Sequence, residues 1–356
     1  MKKISGLVLA SILVLAGCGN KGGDTEKPTK EAAECKIKVG FVTDMGGIDD
    51  RSFNEGSYKG IQQFQKDNGL DDSCITYLES KQEADYLTNL STLAEDGYDL
   101  VVAAGYLFED SIKQAGEQFP DTKFLVIDGA VGTDNIQGAL FAANEASYLA
   151  GVAAATEAKE LGGDAVGFIG GAEGPVIGAF QAGFEQGALS VDPEIKIHID
   201  YAASFDDTGK AQTLAKKQYD SGVKVIFHAA GNAGNGVIKE AQTRAEAGEE
   251  VYVVGVDLDQ YEQGLYGDKT KSIILTSALK RVEVASYNAA KDVMEGNFKG
   301  GIVKYTLKED GVGYPKENPN LDEEVTKALD TAVKDIKEGK FTVSEEPTIK
   351  NGSTNK

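Results

Sequence analysis

Two doubly wound α/β lobes are predicted by three features of the chain. Short apolar runs alternate with amphipathic stretches, the order that gives parallel sheets covered by helices. Many of the runs are near-continuous Val, Ile and Phe, as in strands buried on both faces. The runs recur across 356 residues, about twice a usual domain, so two smaller lobes fit better than one large sheet. Gly occurs 43 times without a collagen-like period, which points to many tight turns between strand and helix.

The first element is an address. Lys2 and Lys3 precede an apolar run from Ile4 to Ala16, too short to span a bilayer as a helix. Leu15-Ala16-Gly17-Cys18 reads as a bacterial lipobox, so residues 1–17 are expected to be a signal peptide and Cys18 the site of lipidation. An ordinary secretory signal with a coincidental Cys is the alternative. Residues 18–35 are polar, carry Gly, Pro and Lys, and read as a flexible tether. Cys35 and Cys74 each stand one residue before an apolar run. If those runs are neighbouring parallel strands, the spacing permits a disulfide; two free thiols are the alternative.

Strands are expected at KIKVGFV, CITYLE, LVVAAG, KFLVID, AVGFIG, IKIHIDY, VKVIFHA, VYVVGVD and SIILTSA. Helical spacing follows Asn54 through Tyr58, Ile61 and Phe64. It recurs over Tyr86, Leu87, Leu90 and Leu93, and over Tyr148, Leu149, Val152 and Ala155. Residues 322–338 form another amphipathic helix, with Val325, Leu329, Val333 and Ile336 inward.

Composition excludes several functions. A net charge of −21 opposes nucleic acid and anionic membrane surfaces. Two His leave little for His-based catalysis or a His-rich metal site, and no Ser–His–Asp set or metal cluster stands out. Three Arg leave little for repeated bidentate clamps on phosphate or carboxylate.

In open parallel sheets, ligands bind beyond the carboxyl ends of the strands. Standing there are Asp44 to Asn54 with Phe53, then Tyr106, Asp128, Phe205, the Gly231-Asn232-Ala233-Gly234-Asn235-Gly236 loop, Asp257 and Lys280. Ionised acids only accept hydrogen bonds, so they suit hydroxyls, ring N–H groups and exocyclic amines and repel phosphate. Aromatic faces suit a flat ring. A ring joined to a polyol is a nucleoside; a nucleotide is disfavoured, because acids outnumber cations.

FVTDMGGIDDRSFNEGSYKG, VVAAGYLFED, FLVIDG, SFDDTGKAQTLA, VIFHAAGNAGNGV, VVGVDLDQ and TSALKR occur in matching order across about residues 36–342. In these segments the chain resembles the basic-membrane-protein family, the PnrA-like purine-nucleoside receptor lipoproteins of bacterial ABC importers. The resemblance implies a type I periplasmic-binding-protein fold, two lobes joined by three crossovers. It implies that Phe53 and Phe205 sandwich a purine, that Asn54 and Asp128 bond its heteroatoms, and that Asp257 and Lys280 hold the ribose hydroxyls. Asp44 and the backbone around Gly231 would complete the sugar pocket, with Tyr106 a weaker member. GNAGNG departs from the family's more usual GGTGNG. The lobes expected are 36–143 with 258–296, and 144–257 with 297–345, leaving 346–356 as a polar tail.

Plainer readings stand beside these. Phe53 could staple to Tyr58 with Asn54 as helix cap. Phe205 could be core, Asp128 and Asp257 could merely end strands, and Lys280 could pair with Glu283 or Asp257. Asp49 and Asp50 read as caps or partners of Arg51, and His228 as a packed residue. GNAGNG before a helix could cradle phosphate but lacks the Lys-Ser/Thr ending.

The reading is a non-enzymatic, monomeric receptor. It would be lipid-anchored outside the cytoplasm, need no cofactor, and serve an ABC transporter permease. A sugar or autoinducer receptor of the same fold and an exported nucleoside hydrolase are the competing functions.

Overall fold

The computed structural model describes residues 35–355. The signal peptide, Cys18 and nearly all of the expected tether lie outside the described residues.

The first lobe opens with β1 (Val39–Val42), α1 (Phe53–Asn68), β2 (Ile75–Leu78), α2 (Asp85–Glu95), β3 (Leu100–Ala104), α3 (Glu109–Gln118), β4 (Lys123–Ile127) and β5 (Ile136–Phe141). The chain then passes to the second lobe through α4 (Ala143–Glu160), β6 (Ala165–Gly170), α5 (Pro175–Val191), β7 (Lys196–Tyr201), α6 (Thr208–Asp220), β8 (Val225–Ala229), α7 (Gly234–Glu246) and β9 (Tyr252–Asp257). A small antiparallel ribbon follows, β10 (Leu265–Tyr266) with β11 (Lys271–Ser272), then β12 (Ile274–Lys280). The chain returns for α8 (Val282–Met294) and β13 (Gly301–Tyr305), and crosses again to β14 (Val312–Gly313), α9 (Glu323–Lys337) and β15 (Ser353–Thr354).

The first sheet runs β13-β5-β4-β3-β1-β2, all parallel. The second runs β14-β12-β9-β8-β6-β7-β15, a parallel centre with an antiparallel strand at each edge. The central strands are buried on both faces, β1, β3, β6 and β8 throughout, which is why their sequences are unbroken apolar runs. Three crossovers, near Ala142, Arg281 and Thr306, join the lobes, as the resemblance implied.

Two segments correct the expected lobe boundaries. Residues 274–280, assigned with the first lobe, pair parallel with β9 in the second sheet. Their side chains are almost wholly buried, so the segment needs cover on both faces, and it finds this beside β9. Residues 301–305, assigned to the second lobe, form the edge of the first sheet, where exposed Ile302 and Val303 are tolerated. The helix between them, α8, packs on α1 of the first lobe. Nor is 346–355 a free tail. The Glu185 carboxylate accepts from the Thr348 and Ile349 N–H groups, and β15 pairs with β7.

Cys35 and Cys74 are joined by a disulfide, at the starts of neighbouring β1 and β2. Among the described residues, no helix is long and apolar enough to cross a membrane.

Candidate functional site

The two sheets present the carboxyl ends of their strands to a common cleft, where ligands of parallel sheets bind. Asp44, Phe53, Asn54, Tyr106, Asp128, Phe205, Gly231, Asp257 and Lys280 all line it. These nine strand-end residues thus meet in one place, whereas Asp49, Arg51 and the Gly234-Asn235-Gly236 part of the loop stand outside the lining.

The floor is an ion network between lobes. Asp128 directly follows β4, Asp257 ends β9, and both adopt left-handed backbone, φ 60° and 64°. That conformation is costly for a residue other than Gly and recurs at functional sites. Lys280, at the end of β12, reaches both carboxylates: Nζ lies 2.6 Å from Asp128 Oδ2 and 3.2 Å from Asp257 Oδ1. Burial opposes the ammonium, but the two carboxylates more than offset it and hold Lys280 charged, above the ordinary lysine value. Nζ also stands 4.5 Å from the centre of the Phe53 ring, a cation–π distance. Asp128 Oδ1 has no partner among the described residues and remains an acceptor.

The loop after β1 is held by its own acids. Asp50 Oδ1 accepts from the Ser52 and Glu55 N–H groups, and Oδ2 from the Asn54 N–H. Asp50 therefore satisfies the first turn of α1, and Asn54 is not the cap: the helix begins at Phe53, with Ser52 at the cap position. Phe53 is then the first helical residue rather than a staple, and Tyr58 packs on Phe41 and Tyr77 instead. Asn54 locks Asp44. Its Nδ2 donates to Asp44 Oδ1 and Asp50 Oδ2, and its Oδ1 accepts from the Asp44 N–H. Both amide donors are used, leaving one acceptor lone pair. Burial pushes the Asp44 carboxyl above the usual range and that of Asp50 up to about 7.

The second lobe clasps this loop. Ser52 Oγ donates to Asp257 Oδ2 at 2.6 Å, and Asn235 Nδ2 donates to the Asp50 carbonyl at 3.2 Å. Gln260 and Gln263 both donate to the Arg51 carbonyl, at 3.2 and 3.1 Å. With the Asp128–Lys280 pair, these bonds hold the lobes together around the cleft.

The aromatics come from opposite sides, Phe53 from α1 and Phe205 from the segment before α6. Phe205 lies against Gly171, where a Cβ would meet its ring at 2.4 Å. Gly231, at φ 54°, turns the chain beside it. Tyr106 crosses to Gly174 of the second lobe, and its buried hydroxyl has no hydrogen-bond partner. Burial raises that hydroxyl to about 12.

Sequence reasoning missed an apolar wall. Val176, Ile177 and Phe180, on the first turns of α5, also line the cleft. They follow β6, so extending the strand-end rule past Gly170 finds them. His228 lies fully buried beneath the cleft loop with neither ring nitrogen in a well-formed hydrogen bond, although Gln260 stands close. Burial lowers its pKa to about 4, so it is a neutral packed residue.

Comparison with known proteins decides the family. The PnrA-like ABC transporter substrate-binding protein family (Bmp) matches residues 37–345. The chain belongs to this family. An ABC transporter nucleoside-binding protein, BmpA, of Lactococcus lactis is 37% identical over 350 residues, covering 96% of this chain and 97% of that protein. A CD4+ T-cell-stimulating antigen of Listeria innocua is also 37% identical over 350 residues, with the same coverages. A solute-binding protein of an ABC transporter system from Aeropyrum pernix superposes with a TM-score of 0.75 at 25% identity, over 87% of this chain and 94% of that one. As a member of this family, the chain has a type I solute-binding fold and is a substrate-binding component rather than a member of a catalytic family.

Proposed function

We propose that the protein captures an uncharged purine nucleoside between its lobes and delivers it, unchanged, to an ABC transporter permease. The observation that carries this reading is a ring from each lobe facing a cavity lined by Asp44, Asp128 and Asp257, with Lys280 the single cation lining it among the described residues. An acceptor-rich wall suits N–H and O–H donors and repels phosphate. Phe53 and Phe205 flank the base, and Asp128 accepts a base N–H through Oδ1. Asn54 receives one donor on its remaining lone pair. Asp257 and Lys280 hold the ribose hydroxyls, and Asp44 and the backbone at Gly231 close the sugar pocket. The unpartnered Tyr106 hydroxyl gains a ligand partner. Ligand completes the inter-lobe clasp, and the permease distinguishes the closed form from the open one. The mature chain is anchored outside the cytoplasm through lipid on Cys18, works as a monomer and uses no cofactor.

Incubation with inosine separates receptor from hydrolase. The expected result is no free hypoxanthine and a nucleoside that co-purifies and survives into native mass spectrometry. Steady release of hypoxanthine contradicts the receptor reading.

A further inference from the structure

Away from the cleft, the last turn of α4 meets the first turn of α9. Glu157 and Glu160, three apart, share a face of α4. Asp322 caps α9, its Oδ1 accepting from the Val325 N–H at 2.7 Å. One carboxylate oxygen from each of the three lies within 4.8 Å of the other two. Glu160 also comes within hydrogen-bonding reach of Asp322 and Glu324. Ionised carboxylates have no hydrogen to share, so this approach calls for something positive between them.

The surroundings do not supply it. Among the described residues, Glu157, Glu160 and Asp322 form no salt bridge. Glu157 is only 8% exposed, its carboxylate has no hydrogen bond among the described residues, and it points into the cluster. Glu157 and Glu160 also occupy the C-terminal turn of α4, the negative pole of the helix, where acids are disfavoured. A buried acid without a partner, at the wrong helix end and facing two more acids, is a poor structural choice unless a cation completes it.

We infer that Glu157, Glu160 and Asp322 bind Ca²⁺, which staples the end of α4 to the start of α9. The donors are all oxygen, which selects a hard cation. Glu160 and Asp322 are exposed, leaving room for water and Glu324 to fill a variable coordination shell, which suits Ca²⁺ better than the rigid octahedron of Mg²⁺. None of the three residues lines the cleft, so the staple acts on the second lobe and not on the ligand.

The test is titration of the EDTA-stripped full chain with CaCl₂, by calorimetry and by thermal unfolding at pH 7.5. The expected result is one saturable site per chain with a midpoint of about 0.1–1 mM, and a higher unfolding temperature in Ca²⁺ than in EDTA. Glu157→Gln, and Asp322→Asn, which keeps a capping side chain, should each weaken Ca²⁺ by roughly tenfold or more. Inosine affinity should stay within about twofold in both variants, since the cleft is untouched. No saturable uptake up to about 10 mM, or unchanged Ca²⁺ affinity in the variants, overturns the assignment. So does stabilisation by acidification alone with no Ca²⁺ effect, which would mean that protons and not metal sit between the carboxylates.

Discussion

Lys280→Met removes the one cation among the described residues that faces Asp128 and Asp257, while keeping a long, flexible apolar side chain in its place. Nζ stands 2.6 Å from one carboxylate and 3.2 Å from the other, with Lys280 only 3% exposed and both acids nearly as buried. Breaking a buried ion pair by deleting one partner costs about 3–5 kcal/mol, because the remaining charge is neither solvated nor paired. The cation–π contact with Phe53 adds about 0.5–2 kcal/mol to what is lost. The expected loss is therefore a large share of a typical stability of about 5–15 kcal/mol. Its pH dependence has a definite sign. Burial already lifts the Asp128 carboxyl above its ordinary value, with Lys280 pulling it back. Without Lys280 that restraint is gone and the folded state binds its proton more readily than the unfolded chain. Folding then favours the protonated acid, so the penalty is full above the folded pKa and fades as pH falls toward the unfolded value. Guanidinium unfolding of both proteins at pH 7.5 and pH 5 reads this directly. A deficit of about 3 kcal/mol or more that narrows at pH 5 is expected. A deficit under about 1 kcal/mol, or one that widens on acidification, refutes the buried-network argument.

Phe205→Ala should weaken inosine by roughly fivefold to 150-fold, the range of base stacking at about 1–3 kcal/mol, and barely change ribose; equal losses in calorimetry contradict the sandwich. His228 is held neutral with a pKa near 4 against an ordinary 6.5, so acidification from 6.5 to 4 should cost the fold up to about 3 kcal/mol. His228→Leu should flatten this acid-side slope in unfolding experiments, and identical slopes contradict the assignment. The Cys35–Cys74 bond closes a sequence separation of 39 residues, which the chain-entropy relation values at about 4 kcal/mol. Reductant should lower the calorimetric unfolding temperature of the native chain and leave a Cys35→Ser/Cys74→Ser variant unmoved; no effect on the native chain contradicts the bond.

The lobes were legible because buried parallel strands leave a strong signature. VGFV, LVVAA and VIFHA are unbroken apolar runs because both their faces are covered. β5 escaped notice because Gln137 and Gly138 interrupt IQGALF; the Gln137 amide donates to the Lys299 carbonyl instead of demanding solvent. β13 escaped for the opposite reason, since an edge strand carrying exposed Ile302 and Val303 has no clean pattern. Which lobe received residues 274–280 depended on pairing across the sheet, and sequence order alone does not fix pairing after a crossover.

In the site, strand ends located the acids, because Asp128 and Asp257 stand where ligands meet parallel sheets. The sequence offered Asp257 as a partner for Lys280; what the strand ends could not disclose was the second partner. Lys280 pairs with Asp257 of its own sheet and also with Asp128 across the lobes, and Asn54 spends both its donors ordering Asp44 and Asp50. Asp50 looked like loop punctuation and proved to satisfy three backbone N–H groups, including those that open α1. Such roles need a third dimension, since they join residues that lie next to each other only after the loop has folded back.

The central claim is that the cleft selects an uncharged base joined to a pentose. Calorimetry of the ligand-free protein with inosine, ribose and inosine monophosphate tests it most directly. The account predicts sub-micromolar inosine, about −8 kcal/mol or better, with ribose and the monophosphate each weaker by at least about a hundredfold. Ribose binding as tightly as inosine, or the monophosphate binding more tightly than the nucleoside, would contradict it.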